Sequence, residues 1–548
     1  MLKNFISMFF GFNRPVMRVE TVTLLASLYF SLVFNGPFWK AVSEFYDLSS
    51  GYAWVVMSAY FVMLTTLQYL VFLFFVNRYT VKPILSLLTI LSAGVFYFIT
   101  HYGVYIDSDM VTNVLETDPR EAGEILTPGL VVNVVVASIV PIALLCLVRV
   151  RRSTLLKAVV WRMVFMASAL ICVTSALMMT FHSFSPLMRN NPGMRYLVTP
   201  GNAIVSTIES VSDHFRKSDS LRLPIAEDAT REESAHTRRK VFLLVLGETV
   251  RAQNWGLNGY GRQTTPQLVS RAPFNYSSVT SCGTSTAVSV PCMFSPIGRN
   301  NYDKGYIESH ESVLDVLSRV GVDVQWIDNQ SGCKGVCDRV PHAKVVASDY
   351  PEECSTGRCM DAVLVSELER ALTDVKGDSL IVFHELGNHG PAYYARYPGN
   401  FRKWLPECRN EDIGQCNDED VINAYDNAVL YNDSILSRAI DELAARKNLD
   451  VSLLYVSDHG ESLGEAGVYL HGLPYIIAPD EQTHVPMIWW MPERTMQDIG
   501  ITAQCMQQHS DDAVSHAYLF DTLLGFFDVR TSSYRPDQDL AAACRQMG

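Results

Sequence analysis

Beyond residue 185 no apolar run reaches membrane-spanning length, and nowhere in the 548 residues is there an internal repeat or a low-complexity tract. The first absence confines any membrane region to the N-terminal third. The second excludes a repeat architecture. Among the twelve cysteines there is no C-x2-C…C-x2-C spacing, so a cysteine-built zinc module has no support. Positive charge is also short: 44 Lys and Arg against 57 Asp and Glu leave a net of −13. That balance argues against electrostatic binding to nucleic acid. The length exceeds one ordinary domain, so at least two units are expected.

What is present begins with five apolar runs, at residues 21–39, 52–75, 83–100, 129–148 and 158–181. Each is about the twenty residues that cross a hydrocarbon core as a helix. Lys3, Arg14, Arg18, Arg78, Lys82, Arg149, Arg151, Arg152, Lys157 and Arg162 occupy one set of flanks. The alternate loops hold only Lys40 and Arg120 among many carboxylates. Cytoplasmic loops collect Lys and Arg, so the N-terminus is expected inside and everything after the fifth run outside. The first run is too long for a cleavable signal and lacks a small-residue cleavage site. Residues 1–184 carry 12 basic and 9 acidic groups, a net of +3, which leaves −16 for the remainder.

Ten cysteines fall in that exported remainder: Cys282, Cys292, Cys333, Cys337, Cys354, Cys359, Cys408, Cys416, Cys505 and Cys544. Closely spaced pairs in an oxidising compartment read as disulfides, and sequence order suggests five local bridges. Cys146 and Cys172 lie in the apolar runs.

Three regions are expected: a five-helix transmembrane domain over 1–184, a linker over 185–239, and a catalytic domain over 240–548. Within the linker, residues 201–217 have helical periodicity, which suits either a membrane-surface helix or one packed on the domain. The catalytic region opens with a continuous apolar run at 241–247, of the kind buried on both faces of a parallel sheet. Similar runs recur at 322–327, 379–383, 451–456 and 485–490, separated by helical patterns at 312–320, 361–375 and 421–445. The alternation predicts an α/β fold with a mainly parallel sheet flanked by helices.

In such sheets active sites gather at the carboxyl ends of strands. Three of the apolar runs close with ligand-type residues: Glu248, then His384 and His389, then Asp458 and His459. His471 follows shortly after. Carboxylate and imidazole donors suit zinc. The segment 280–292 is rich in small residues, with Cys282 and Cys292 near its ends. Thr286 opens a plausible helix first turn, where backbone N–H groups favour an alkoxide and an incoming phosphate. The bland alternative is an N-cap threonine, and Ser281, Thr284, Ser285 and Ser289 are equally available hydroxyls.

These segments resemble those of the lipid A phosphoethanolamine transferases, a group that includes the mobile colistin-resistance enzymes, within the alkaline phosphatase and sulfatase-like superfamily. The resemblance rests on Gly247-Glu248-Thr249-Val250-Arg251, the 281–292 segment, Asn388-His389, Ser457-Asp458-His459-Gly460-Glu461 and Tyr469-Leu470-His471-Gly472. It implies a catalytic zinc held by Glu248, Thr286, Asp458 and His459, with Thr286 as nucleophile and a second zinc as an option. It assigns substrate binding to His389, His471 and, nearby, His384. It further implies that Asn113, Thr117 and Glu121 bind the donor headgroup. In the family, the pairs Cys333/Cys337 and Cys505/Cys544 are not obligatory.

The implied reaction is a double displacement from phosphatidylethanolamine, through a phosphoethanolamine-threonine intermediate, to a phosphate of lipid A. Such a reaction modifies the outer membrane and favours polymyxin resistance. The implied setting is the bacterial inner membrane, with the catalytic domain in the periplasm and a monomeric chain. A phosphoglycerol transferase is the main alternative, along with transfer to another glycan or a protein. A sulfatase would carry C/S-x-P-x-R, which does not surround Thr286. A transporter would need charged residues in the apolar runs, which hold almost none.

Overall fold

The computed structural model describes residues 14–117, 119–217, 222–231, 238–354, 359–373 and 375–545, the side chains of 119–121 and 213–217 excepted. It forms two compact units: Met1–Asp107 with Leu126–Ile208, and Ser108–Ile125 with Glu209–Gly548.

The first unit is helical. Its helices are α1 (Val19–Tyr29), α2 (Gly36–Ser43), α3 (Gly51–Phe75), α4 (Val81–Tyr102), α5 (Pro128–Leu147) and α6 (Leu155–Asn190). Among the described residues, α3 to α6 are each long and apolar enough to cross a membrane, and the bent pair formed by α1 and α2 makes a fifth candidate. The first apolar run is therefore a broken element and not the single straight helix its length suggests. It passes through a π-turn at Phe30–Phe34 and bends by 57°. Gly36 and Pro37 open α2, and the proline cannot continue the helical hydrogen-bond ladder. The freed polar groups are met by Asn35, whose Nδ2 donates to Phe30 O and Thr199 O and whose Oδ1 accepts from Thr199 N. Val136, Leu144 and Met178 turn outward, as lipid-facing side chains do. Helix α6 runs on to Asn190 through Pro186, beyond the run that predicts it.

A further helix, Gly201–Lys217, occupies the connector. Val205, Ile208 and Val211 on it are exposed, so its apolar face is not packed on protein.

The second unit is built on an eight-stranded sheet. In chain order the strands are β1 (Arg239–Gly247), β2 (Phe274–Thr280), β3 (Asp323–Asp328), β4 (His342–Lys344), β5 (Ser379–His384), β6 (Leu449–Ser457), β7 (His484–Trp490) and β8 (Val514–Ser515). Their order across the sheet is β8-β2-β7-β6-β1-β5-β3-β4. The centre, β6-β1-β5-β3-β4, is parallel, while β7 runs antiparallel to both β6 and β2. Residues 240–247 of β1 and all of β6 are buried, because helices cover both faces of the sheet. Register then sets the site: Gly247 pairs Ser457, Leu246 pairs His384, and His384 pairs Asp328. The ends of β6, β1, β5 and β3 thus lie side by side.

Two further helices matter here, α7 (Thr286–Met293) and α8 (Asp418–Ala445). The excursion Ser108–Ile125, between α4 and α5, belongs to this unit, and its helix Ser108–Glu116 packs against α7. Arg396, whose side chain is fully buried, ties the excursion down through Glu124 at 2.6 Å. Disulfides join Cys282 to Cys292, Cys333 to Cys337, Cys354 to Cys359, Cys408 to Cys416 and Cys505 to Cys544.

Candidate metal centre and active site

Glu248 follows β1 and Asp458 follows β6, and both are fully buried. The turn out of β1 places Thr249 at φ +56°, an unfavourable region for a β-branched residue. Two neighbours hold it there. Thr249 N donates to Asp458 Oδ1 at 3.2 Å, and Tyr425 OH donates to Thr249 O at 2.6 Å. On the other side Gly387 lies so close that a Cβ there would sit 2.7 Å from Glu248 O and 2.8 Å from Glu248 N. Its φ of +54° likewise suits glycine.

Ser285 is the N-cap of α7 and Thr286 is its first helical residue, so Thr286 is not a capping side chain. Three of the four other hydroxyls are engaged elsewhere: Ser281 with Gly283 O, Thr284 with Leu473 O, and Ser289 with Asp458 O; the fourth, Ser285, makes no side-chain cap to the helix. Thr286 Oγ1 instead donates to Glu248 Oε2 at 3.0 Å and lies 3.4 Å from His459 Nε2. His459 Nε2 is 3.3 Å from Glu248 Oε1 and 3.4 Å from Asp458 Oδ2. Its Nδ1–H donates to Gly460 O at 2.9 Å, which turns Nε2 toward the carboxylates.

Glu248 Oε1, Asp458 Oδ2 and His384 Nε2 are buried without hydrogen-bond partners. Orphaned acceptors of this kind are costly unless something else satisfies them. Glu248, Asp458 and His459 offer ligand atoms that all lie within 4.8 Å of one another. This donor set of two carboxylates, an imidazole and a hydroxyl fits a divalent cation of the zinc type. Two other clusters share that spacing among the described residues, but their cysteines are in disulfides and offer no thiolates. The electrostatics match a cation centre. Burial alone would lower His459, but the Asp458 and Glu248 carboxylates carry it up to about 10. Burial and the charge of Glu248 raise Asp458. Burial would also raise Glu248, yet His459 and its neighbouring imidazoles hold it down.

A second row of imidazoles borders the cluster. The His471 ring lies 4.4 Å from His459, tilted by 45°, and 5.6 Å from His389, edge-on, centroid to centroid. His471 Nδ1 pairs with Glu461 Oε2 at 2.9 Å, and Tyr393 OH donates to Glu461 Oε1 at 2.7 Å. His389 is half-buried, with Nδ1 enclosed and unpartnered, and desolvation pushes it down to about 3. His384 lies 4.0 Å from Glu248, with Nδ1 on Asp328 Oδ2 at 3.0 Å.

Of the donor-loop residues, Asn113 and Thr117 are half-buried, and Thr117 Oγ1 donates back to Asn113 O at 2.6 Å. The side chain of Glu121 lies outside the described residues. Several contributors carry no sequence signal of their own. Gln330 Nε2 donates to Glu248 Oε2 at 3.1 Å. Asp328 and Glu461 orient His384 and His471. His516, buried between Cys282 N and Ser457 O, braces the loop before α7. Gln330 and His516 are lone polar residues, whereas the end of a predicted strand could have pointed to Asp328 and the 457–461 segment to Glu461.

Comparisons with known proteins bear on the chain as a whole. Residues 240–529 match the sulfatase family, and residues 64–215 match the phosphoethanolamine transferase EptA/EptB N-terminal family. The chain is 36% identical over 540 residues to phosphoethanolamine transferase EptA of Escherichia coli K12, covering 98% of each. It is 35% identical to phosphatidylethanolamine transferase Mcr-1 of Escherichia coli, covering 93% of this chain and 95% of that one. Among solved structures it is similar to the integral membrane lipooligosaccharide phosphoethanolamine transferase A of Neisseria meningitidis. There the TM-score is 0.92 at 36% identity, covering 97% of this chain and 100% of that one. With relatives this similar over nearly its whole length, the chain belongs to the EptA family of phosphoethanolamine transferases.

Proposed function

We propose that this chain moves phosphoethanolamine from phosphatidylethanolamine to a phosphate of lipid A, through a covalent intermediate on Thr286. The observation that carries the reading is the Thr286 hydroxyl, the one in its segment that faces Glu248 and His459. Glu248, Thr286, Asp458 and His459 would hold a zinc ion, which supplies positive charge for the phosphoryl oxygens and favours the threonine alkoxide.

In the first displacement Thr286 Oγ1 bonds to phosphorus and releases its proton along its hydrogen bond to Glu248. The bond from phosphorus to the diacylglycerol oxygen breaks, and that oxygen takes up a proton from solvent as it leaves, while the Thr286 proton stays with Glu248. In the second, an anionic oxygen of the acceptor phosphate attacks the same phosphorus. A phosphoanhydride forms, and Thr286 Oγ1 departs and recovers its proton. His389 and His471 are placed to hold phosphate oxygens, with Glu461 fixing the His471 tautomer. Asn113, Thr117 and Glu121 would receive the donor headgroup, whose ammonium suits a carboxylate. The five apolar elements anchor the enzyme in the inner membrane with its catalytic unit in the periplasm, so that neither lipid has to be extracted.

The test uses purified full-length protein and tail-labelled phosphatidylethanolamine. Wild type is expected to release labelled diacylglycerol and Thr286→Ala to release none. Release by the variant at the wild-type rate would remove Thr286 from the mechanism. Cleavage of phosphatidylglycerol in place of phosphatidylethanolamine would make the chain a phosphoglycerol transferase.

A further inference from the structure

At the end of the helical unit where α1, α4 and α6 begin, a cavity of about 700 Å3 opens between the helices. That volume is in the range of small-molecule sites. Arg18, Arg78, Arg151, Arg152, Lys157 and Arg162 line it, and Glu20 is its single carboxylate. Six cations against one anion leave a net charge of +5. Among the described residues only Arg162 has a carboxylate within ion-pair reach, Glu20 at 3.9 Å. The neighbouring sequence offers no other: residues 1–13, 76–82 and 148–157 contain no Asp or Glu. The cavity also meets the start of the 36-residue α6, where Thr154 makes no side-chain cap. Backbone N–H groups and the positive end of that helix add to the field.

We propose that this cavity binds an anionic glycerophospholipid of the adjoining leaflet, seated by its phosphate. The proposal rests on the helices spanning a bilayer and is independent of the transferase reading. The bias of cations toward one membrane face explains their number at this end. It does not explain why they surround one cavity, with the lone carboxylate buried behind them. A soluble anion would need only the charges, whereas this lining is amphipathic. Val19, Leu155, Ala158 and Val159 supply an apolar flank, and Leu155 and Val159 are exposed toward where acyl chains would lie. Trp161 carries Arg18 over its ring at 4.1 Å, and Tyr79 stands exposed at the rim, both suited to the headgroup level. Basic pockets between membrane helices bind anionic headgroups for these reasons.

The experiment is native mass spectrometry of the delipidated full-length protein, titrated with dioleoyl phosphatidylglycerol or dioleoyl phosphatidylcholine. One phosphatidylglycerol is expected to be retained in preference to phosphatidylcholine, and high salt should weaken its retention. Arg151→Gln with Arg152→Gln should lower that retention roughly tenfold or more, at roughly fivefold per cation. Should that pair fail to fold, Lys157→Gln alone is expected to lower it roughly fivefold. Equal retention of the two lipids, or retention unchanged in a folded variant, would overturn the proposal. So would displacement of the lipid by equimolar sn-glycerol 3-phosphate, which would mark a site for soluble phosphates.

Discussion

Glu248 and Asp458 are two carboxylates buried side by side, with His459 between them as the main counter-charge. Such a group is stable only when a cation shares it, so zinc should raise the melting temperature of wild type and chelation should lower it. In Asp458→Asn the zinc-dependent shift is expected to vanish and transfer to fall at least a hundredfold, read by metal analysis beside the diacylglycerol assay. Glu461 acts one step further out. Glu461→Gln is expected to cut transfer roughly tenfold or more with metal content unchanged, because His471 loses its fixed tautomer. Asp433 shows a different kind of burial. It accepts from Gln267 N at 2.9 Å and Leu268 N at 2.8 Å, closing the first turn of helix Pro266–Arg271. Burial pushes its carboxyl from 3.8 up to about 6. A folded value above the unfolded one means that its contribution is complete below about 4 and is lost as pH rises through 6. Asp433→Asn cannot ionise, so its melting curve should be flatter than wild type between those values, even though the variant is less stable throughout. At this scale the sequence showed Glu248, Asp458 and His459 because each follows a long apolar run. Gln330 and His516 were illegible, since a single polar residue looks the same in a site as on a solvated face; Glu461 stood in the 457–461 segment but without a role.

The central strands were readable for a physical reason: a strand covered on both faces must be almost wholly apolar, and 241–247 and, apart from Ser452, 451–456 are. Strand β2 is not, since Phe274–Thr280 reads FNYSSVT and alternates weakly. The reversed direction of β7 has no counterpart in its composition, because burial imposes the same apolar pattern whichever way a strand runs. In the first apolar run, hydropathy hid the break at Asn35, since the chain stays apolar on both sides while its backbone changes course. Asn35→Leu should therefore destabilise the helical unit, leaving the buried Thr199 N unpaired at about 1–3 kcal/mol, while Thr199 O keeps its hydrogen bond from Gln68 Nε2. Helix α7 depends on the Cys282–Cys292 bridge, which closes a segment with a sequence separation of 10. Replacing both cysteines by serine is expected to cost about 3 kcal/mol. A drop in melting temperature, together with slower transfer, would place the bridge in support of Thr286.

At the scale of the whole chain, the division of charge is the plainest feature, with +3 before residue 185 and −16 after it. An acidic catalytic region gives the membrane surface no general electrostatic hold on it, which leaves the apolar helices as its anchor. The contribution of residues 108–125 to the catalytic unit could not be read from composition, because a charged loop between spans looks solvated. A fragment starting at residue 222 lacks that excursion and so lacks Glu124. With Arg396 left unpaired in a buried position, the fragment should be about 3–5 kcal/mol less stable than the same unit in the full chain. Arg396→Met should recover much of that loss in the fragment and none in the full chain, as chemical denaturation would report. The excursion also has a history. Helix Ser108–Glu116 is made about 170 residues before the Thr286–Met293 helix it packs against. At bacterial rates of synthesis that interval is on the order of ten to thirty seconds. During that time one piece of the catalytic unit has crossed the membrane and waits for the rest. Biogenesis must therefore tolerate, or shelter, an unfinished catalytic unit whose first piece arrives well ahead of the helix it packs against.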